Sequence, residues 1–171
     1  MAVTDEQRAK RPVSILAGPY GHPTHPMVVV LPIGAWLSSF VFDLVSLGAD
    51  DPSTWANGAR WLIAIGVIGA VVAAVLGFLD LLTIPNGTPA QRTALTHMAL
   101  NTVALVLFAV SFFLRSGRTD DEANVGLLLL SIVALGLLAV SGWLGGKLAY
   151  HYGVRVADEA TQAEGFGGAR S

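Results

Sequence analysis

Cysteine is absent from this 171-residue chain, which excludes disulfides, thiolate metal sites and cysteine-linked haem. Charge is also scarce: 13% of residues are charged, too few to solvate long apolar helices as a soluble domain. The formal net charge of −2 gives no broad attraction to nucleic acid, and no nucleic-acid partner is expected. No catalytic triad, phosphate-binding loop or dinucleotide fingerprint is present, so an ordinary enzyme acting on a soluble substrate is not expected. Residues 1–19 are polar and the first apolar run is full length, so no cleavable signal peptide is expected.

What the chain has is apolar length. Four runs, Met27–Leu47, Trp61–Leu82, Ala94–Leu114 and Val125–Leu148, dominate a composition that is 53% hydrophobic. Each holds about twenty residues, and a helix rising ~1.5 Å per residue needs about that many to cross a ~30 Å hydrocarbon core. The expected fold is an all-α integral membrane four-helix bundle, threaded up-down-up-down, with both termini on the same side. A polar N-terminal tail (1–19), a transmembrane domain (20–156) and a flexible C-terminal tail (157–171) follow from the same pattern.

Lysine and arginine near the helix ends give an orientation. Arg8, Lys10, Arg11, Arg92, Lys147, Arg155 and Arg170 lie on the N-terminal side. Arg60, Arg115 and Arg118 lie opposite, beside Asp50, Asp51, Asp120, Asp121 and Glu122. Seven against three places both termini in the cytoplasm. Tyr20, Tyr150 and Tyr152 then belong to the inner interface, and Trp55 and Trp61 to the outer one.

Gly48–Ala59 reads as an acidic, turn-rich loop and Arg115–Asn124 as the second outer loop. Ile84–Pro89, IPNGTP, reads as a tight turn that makes the second and third helices antiparallel neighbours. The two hairpins share only a faint echo, VFDLV at Val41 against GFLDLL at Gly77, from which no repeat is read. Gly66, Ala70 and Ala74, Gly69, Ala73 and Gly77, and Gly142 and Gly146 form small-residue faces for close packing or self-association. Pro32 deprives the Val28 carbonyl of a partner, which reads either as a tolerated kink or as a bend aiming His25 inward.

The chemistry-bearing residues gather at one end. His22 and His25 precede the first run, His97 lies early in the third and His151 follows the fourth, so up-down threading brings all four together. Asp80 and Lys147 belong to the same layer, and Asn101, one turn beyond His97, shares its face. An ionisable group facing lipid is costly, so Asp80 and His97 should face the interior and find partners. Taken singly, His22, His25 and His151 read more readily as interfacial residues bonded to headgroups or loops than as ligands. Asp43, towards the outer end, is expected to pair with Arg60 or Arg115.

GHPTHPMVVVLPIG at Gly21–Gly34, VFD ending at Asp43, GFLDLL at Gly77–Leu82, HMALN at His97–Asn101 and SGWLGGKLAYHYGVRV at Ser141–Val156 occur in that order. Together they resemble the bacterial membrane family catalogued as domain of unknown function 2231, over roughly Gly18–Val156. The resemblance implies residence in the bacterial inner (plasma) membrane. Some relatives are fused to Rieske-type iron–sulfur or cytochrome c domains, which implies redox partner proteins. His22, His25, Asp80, His97, Asn101, Gly145, Gly146 and Tyr150 match the family pattern. Lys147 departs from an acidic residue there, which weakens any ligand role for that position.

Two functions then compete. One is a histidine-based haem b or metal-binding protein in membrane electron transfer, since imidazoles ligate haem iron, Zn, Cu and non-haem Fe. His25 and His97, with Asn101, are the haem candidates; a compact ion would draw on His22, His25, His97, His151 and Asp80. The other is a non-catalytic accessory or homo-oligomeric subunit with structural or pH-sensing histidines. A transporter or proton relay ranks behind both, because the outer half lacks a matching polar column.

Overall fold

The computed structural model describes residues 4–116 and 124–165, and every regular element among them is helical. In chain order these are α1 (Asp5–Lys10), a 3₁₀ turn (Pro19–Gly21), α2 (Thr24–Val28), α3 (Val30–Ser46), α4 (Pro52–Leu81), α5 (Pro89–Ser116), α6 (Val125–Tyr150) and α7 (Glu159–Glu164). Four spans are long and apolar enough to cross a membrane: Thr24–Ser46, Pro52–Leu81, Pro89–Ser116 and Val125–Tyr150. The stretch containing Arg118 and Asp120–Glu122, and Arg170, lie outside the described residues.

Contacts order the helices. Along α3, the Trp36 indole meets α4 at the Ile63 carbonyl, and Phe42 meets it at Gly58, so the two run antiparallel. Along α5, His97 meets α6 at Ser141, and Phe108 packs with Ala134, again antiparallel. Across the bundle, α2–α3 and α5 run parallel: His25 faces His97, Trp36 stacks on Phe108, and Asp43 pairs with Arg115, in that order. Both terminal segments meet at the histidine end, where the Arg155 N–H donates to the Ala9 carbonyl at 3.0 Å.

Several boundaries differ from the sequence reading, among them the end of α5, which takes Arg115 and Ser116 out of the stretch read as the second outer loop. Helix α4 starts nine residues before Trp61, inside the stretch read as a loop. Asp51 caps it by accepting from the Thr54 N–H, and Pro52 occupies the first turn, where its missing N–H costs nothing. The tail after residue 156 carries α7, capped by Asp158, whose Glu159 lies 3.4 Å from Lys10 of α1. At Pro32 the first span is interrupted at Val29, dividing a short α2 that carries His25 from α3.

The interior is the reverse of a soluble core. Large apolar side chains such as Val30, Ile68, Phe113 and Trp143 point outwards, where lipid solvates them. Inside are Ser39, Ser46, Ser111, Ser131 and Ser141, with Asp43, Asp80 and Arg115, around a small core of Trp36, Ile63, Phe108 and Ala134.

Candidate functional site

The site begins with two imidazoles fixed in the same way. His25 Nδ1 lies 2.9 Å from the Ala73 carbonyl of α4, and His97 Nδ1 lies 2.7 Å from the Ser141 carbonyl of α6. A carbonyl can only accept, so each Nδ1 carries the proton and each Nε2 keeps its lone pair. Four residues beyond each acceptor stands a glycine. A methyl group at Gly77 would lie 3.0 Å from His25 Cε1, and one at Gly145 3.1 Å from His97 Cε1. Each ring is seated where its neighbouring helix offers no side chain. The two rings face one another with centroids 6.4 Å apart and planes at 86°.

His97 has two further partners. Asn101 Nδ2 lies 3.1 Å from His97 Nε2, and the Ser141 hydroxyl lies 2.9 Å from Nδ1 while donating to the His97 carbonyl. His25 has no such amide, because Val29 stands where the first hairpin would carry it.

This likeness extends along the molecule. Asp43 and Arg115 are 72 residues apart, and the same spacing relates His25 to His97, Trp36 to Phe108 and Ser39 to Ser111. Three of these pairs meet across the bundle: the imidazoles, the aromatic stack with centroids at 4.2 Å, and the buried bidentate ion pair at 2.6 Å. Residues that meet their own counterparts at successive heights lie on a pseudo-two-fold axis parallel to the helices, a form of symmetry used by duplicated membrane proteins. The repeat is therefore hairpin on hairpin; the echo between Val41 and Gly77 compares helices that are not equivalent.

The remaining candidates lie apart from the paired imidazoles. His22 and His151 are exposed, and His151 packs on the Tyr152 ring. Asp80 is buried, and its partner is Arg155, whose Nε lies 2.9 Å from Asp80 Oδ1 without hydrogen-bond alignment. Lys147 sits over the rings of Trp143 and Tyr152. Among the described residues, no three histidine or carboxylate groups gather as a metal-ion site. Of the two partners considered for Asp43, the structure selects Arg115; Arg60 lies over Trp61 and Phe112.

Sequence reasoning passed over Arg155, Ser141 and the role of Gly77 and Gly145. Arg155 has a backbone φ of 61°, bonds the Ala17 carbonyl through Nη2, and joins both terminal segments to α4. Its signal was its place at the end of the closing motif, just past Gly153. The glycines were signalled by the fixed step of four from Ala73 and Ser141, which only the histidine contacts make meaningful.

Fold and site together define a four-helix membrane protein with two inward-facing histidines on a pseudo-two-fold axis. The chain belongs to the family described as predicted membrane protein, domain of unknown function 2231, whose model matches residues 21–158. No curated protein and no solved structure matches it.

Proposed function

We propose that the protein holds a single haem b between His25 and His97 and serves membrane electron transfer. The observation that carries this reading is the facing pair itself, with centroids 6.4 Å apart and both Nδ1–H groups anchored. Two nitrogens bound at ~2 Å on opposite sides of one metal stand about 4 Å apart, and each ring centroid is set back behind its nitrogen. A carbonyl-anchored Nδ1–H also leaves Nε2 as the ligating atom and raises its basicity. The donor set thus fits two-imidazole ligation better than a compact ion, because Asp80 is already held by Arg155. Haem would supply one-electron chemistry. The protein's part is to hold both imidazoles in one tautomer and to keep water out with the apolar bundle around them.

A second reading, an accessory subunit with structural histidines, is favoured by one observation: His97 is already bonded at both nitrogens. An optical spectrum with elemental analysis of the detergent-purified protein, expressed with haem supplementation, separates the two. A Soret band that His97→Ala abolishes is the expected result. A colourless, metal-free protein would leave the accessory reading standing. In either role we place the protein in the bacterial inner membrane with both termini cytoplasmic, and a C-terminal reporter fusion tests that placement.

A further inference from the structure

Among the described residues, Arg155 is the buried charged group with the most unsatisfied nitrogens. Its side chain is 5% exposed, and Nη1 is buried without a hydrogen-bond partner. Nη2 bonds a backbone carbonyl and Nε is ion-paired with Asp80, so what remains open is the hydrogen bonding of Nη1. A buried guanidinium N–H without an acceptor is costly, and an oxyanion is the strongest acceptor it could gain.

Two chains of neighbours link Arg155 to His25. Asp80 lies three residues past Gly77, which touches the His25 ring. Ala17, whose carbonyl Nη2 bonds, also accepts from the N–H of Thr24, the residue before His25. The position is the end of the bundle that carries the histidines and both terminal segments, where an amphipathic ligand would turn its charged groups because carboxylates are expensive deeper in hydrocarbon.

We infer that Arg155 Nη1 is the docking point for an oxyanion, a carboxylate of the molecule seated between His25 and His97. This rests on the haem reading for the carboxylate's source; a phospholipid phosphate offers the same chemistry from the bilayer. Arg155 is then a binding residue that fixes which end of the ligand faces the cytoplasmic surface, while the histidines fix its centre.

The test is a Soret titration of the full-length protein in detergent with protohaem and with its dimethyl ester, which lacks the carboxylates. Wild type should bind the free acid on the order of tenfold more tightly, the worth of one charged hydrogen bond. Arg155→Gln should lose the discrimination, and Arg155→Lys should keep part of it, with circular dichroism reporting whether each variant folds. Equal binding of acid and ester by wild type overturns the inference without touching the haem reading, and so does discrimination that survives in Arg155→Gln. Should neither porphyrin bind, the haem reading falls, and retained phosphatidylglycerol, measured by native mass spectrometry on wild type and Arg155→Gln, decides the site. Lipid lost with the arginine keeps the oxyanion site with phosphate as its source; unchanged lipid overturns it.

Discussion

The two hairpins do the same thing with histidine and different things almost everywhere else. Each seats one imidazole on the partner helix with an Nδ1–H bond to a carbonyl and a glycine against Cε1. The differences cluster where a residue meets its own counterpart. In a symmetric homodimer such positions face identical copies, so a charge there faces its like. In this single chain the first hairpin presents Asp43 and the second Arg115, and the axis holds a buried ion pair. Trp36 meets Phe108 by the same logic. The larger ring is matched by Gly66 on its neighbouring helix, and the smaller by Ala134 in the equivalent place, seven residues before each carbonyl acceptor. Carrying both hairpins on one chain lets the axis be asymmetric while the histidine seats stay alike.

The largest effect should come from breaking the axis pair. Asp43→Ala leaves Arg115, among the described residues, with the Ser111 hydroxyl alone, and losing one partner of a buried pair costs about 3–5 kcal/mol. Arg115→Asp should be as damaging, since two carboxylates would then face each other. Exchanging both, Asp43→Arg with Arg115→Asp, should recover more than half of that loss, because the positions are equivalent. Denaturant unfolding in detergent measures all three. A double exchange no better than the single variants would break the pseudo-symmetry argument at its strongest point.

Next in size is the aromatic layer. A methyl group at Gly66 would run into the Trp36 indole, so Gly66→Ala should cost about 1–3 kcal/mol by overpacking. Trp36→Phe makes the first hairpin resemble the second and opens that space, at the loss of the indole bond to the Ile63 carbonyl. Together the two changes should cost less than the sum of each alone, by about 1 kcal/mol or more in a double-mutant cycle. Strict additivity would show that the glycine answers to something other than the indole.

A smaller effect probes the one polar difference at the histidine level. Asn101→Val gives the second hairpin the residue found at Val29 and removes the amide from His97 Nε2. If the amide competes for the lone pair that ligates, haem affinity should rise by up to about fivefold, a hydrogen bond being worth roughly 1 kcal/mol. A fall in affinity would instead assign Asn101 to holding the ligand.

Much of this was legible in the sequence. Hydropathy alone located the four spans, because a bilayer demands about twenty apolar residues whatever their neighbours. The HPxHP and HMALN stretches pointed to His25 and His97 as a facing pair. What escaped was anything that depends on a contact between distant residues. Asp80 and Arg155 are each ordinary at a helix end, and only the return of the C-terminal segment over the bundle joins them. The pseudo-symmetry escaped because equivalence is kept in spacing and role rather than identity: tryptophan answers phenylalanine and aspartate answers arginine. The early start of α4 escaped because Asp51-Pro52-Ser53-Thr54 was read for its turn-forming composition, although aspartate before proline is also a helix start.

That helix start supplies the smallest and most local contrast between the hairpins. Helix α4 is capped by Asp51, which titrates, and α6 by Asn124, which does not in the same range. Hydrogen bonds from the Ser53 and Thr54 hydroxyls and the Thr54 N–H hold the Asp51 carboxyl below the usual carboxylate range. A carboxyl whose folded pKa is depressed contributes stability that is fully present above its unfolded value, near 4, and is lost as pH falls through the folded value. Acidification from about pH 5 towards 3 should therefore loosen the first turn of α4 and leave that of α6 unchanged. Hydrogen exchange at the amides of residues 54–57 and 126–129 reads both ends in one experiment. The same amides in Asp51→Asn, at each pH, remove the intrinsic pH dependence of exchange. Protection at 54–57 should fall relative to that variant as pH drops, while 126–129 keeps a constant ratio. Equal behaviour at the two ends would mean that α4 begins through its packing against α3, with Phe42 on Gly58 and Trp55, and that the cap is incidental.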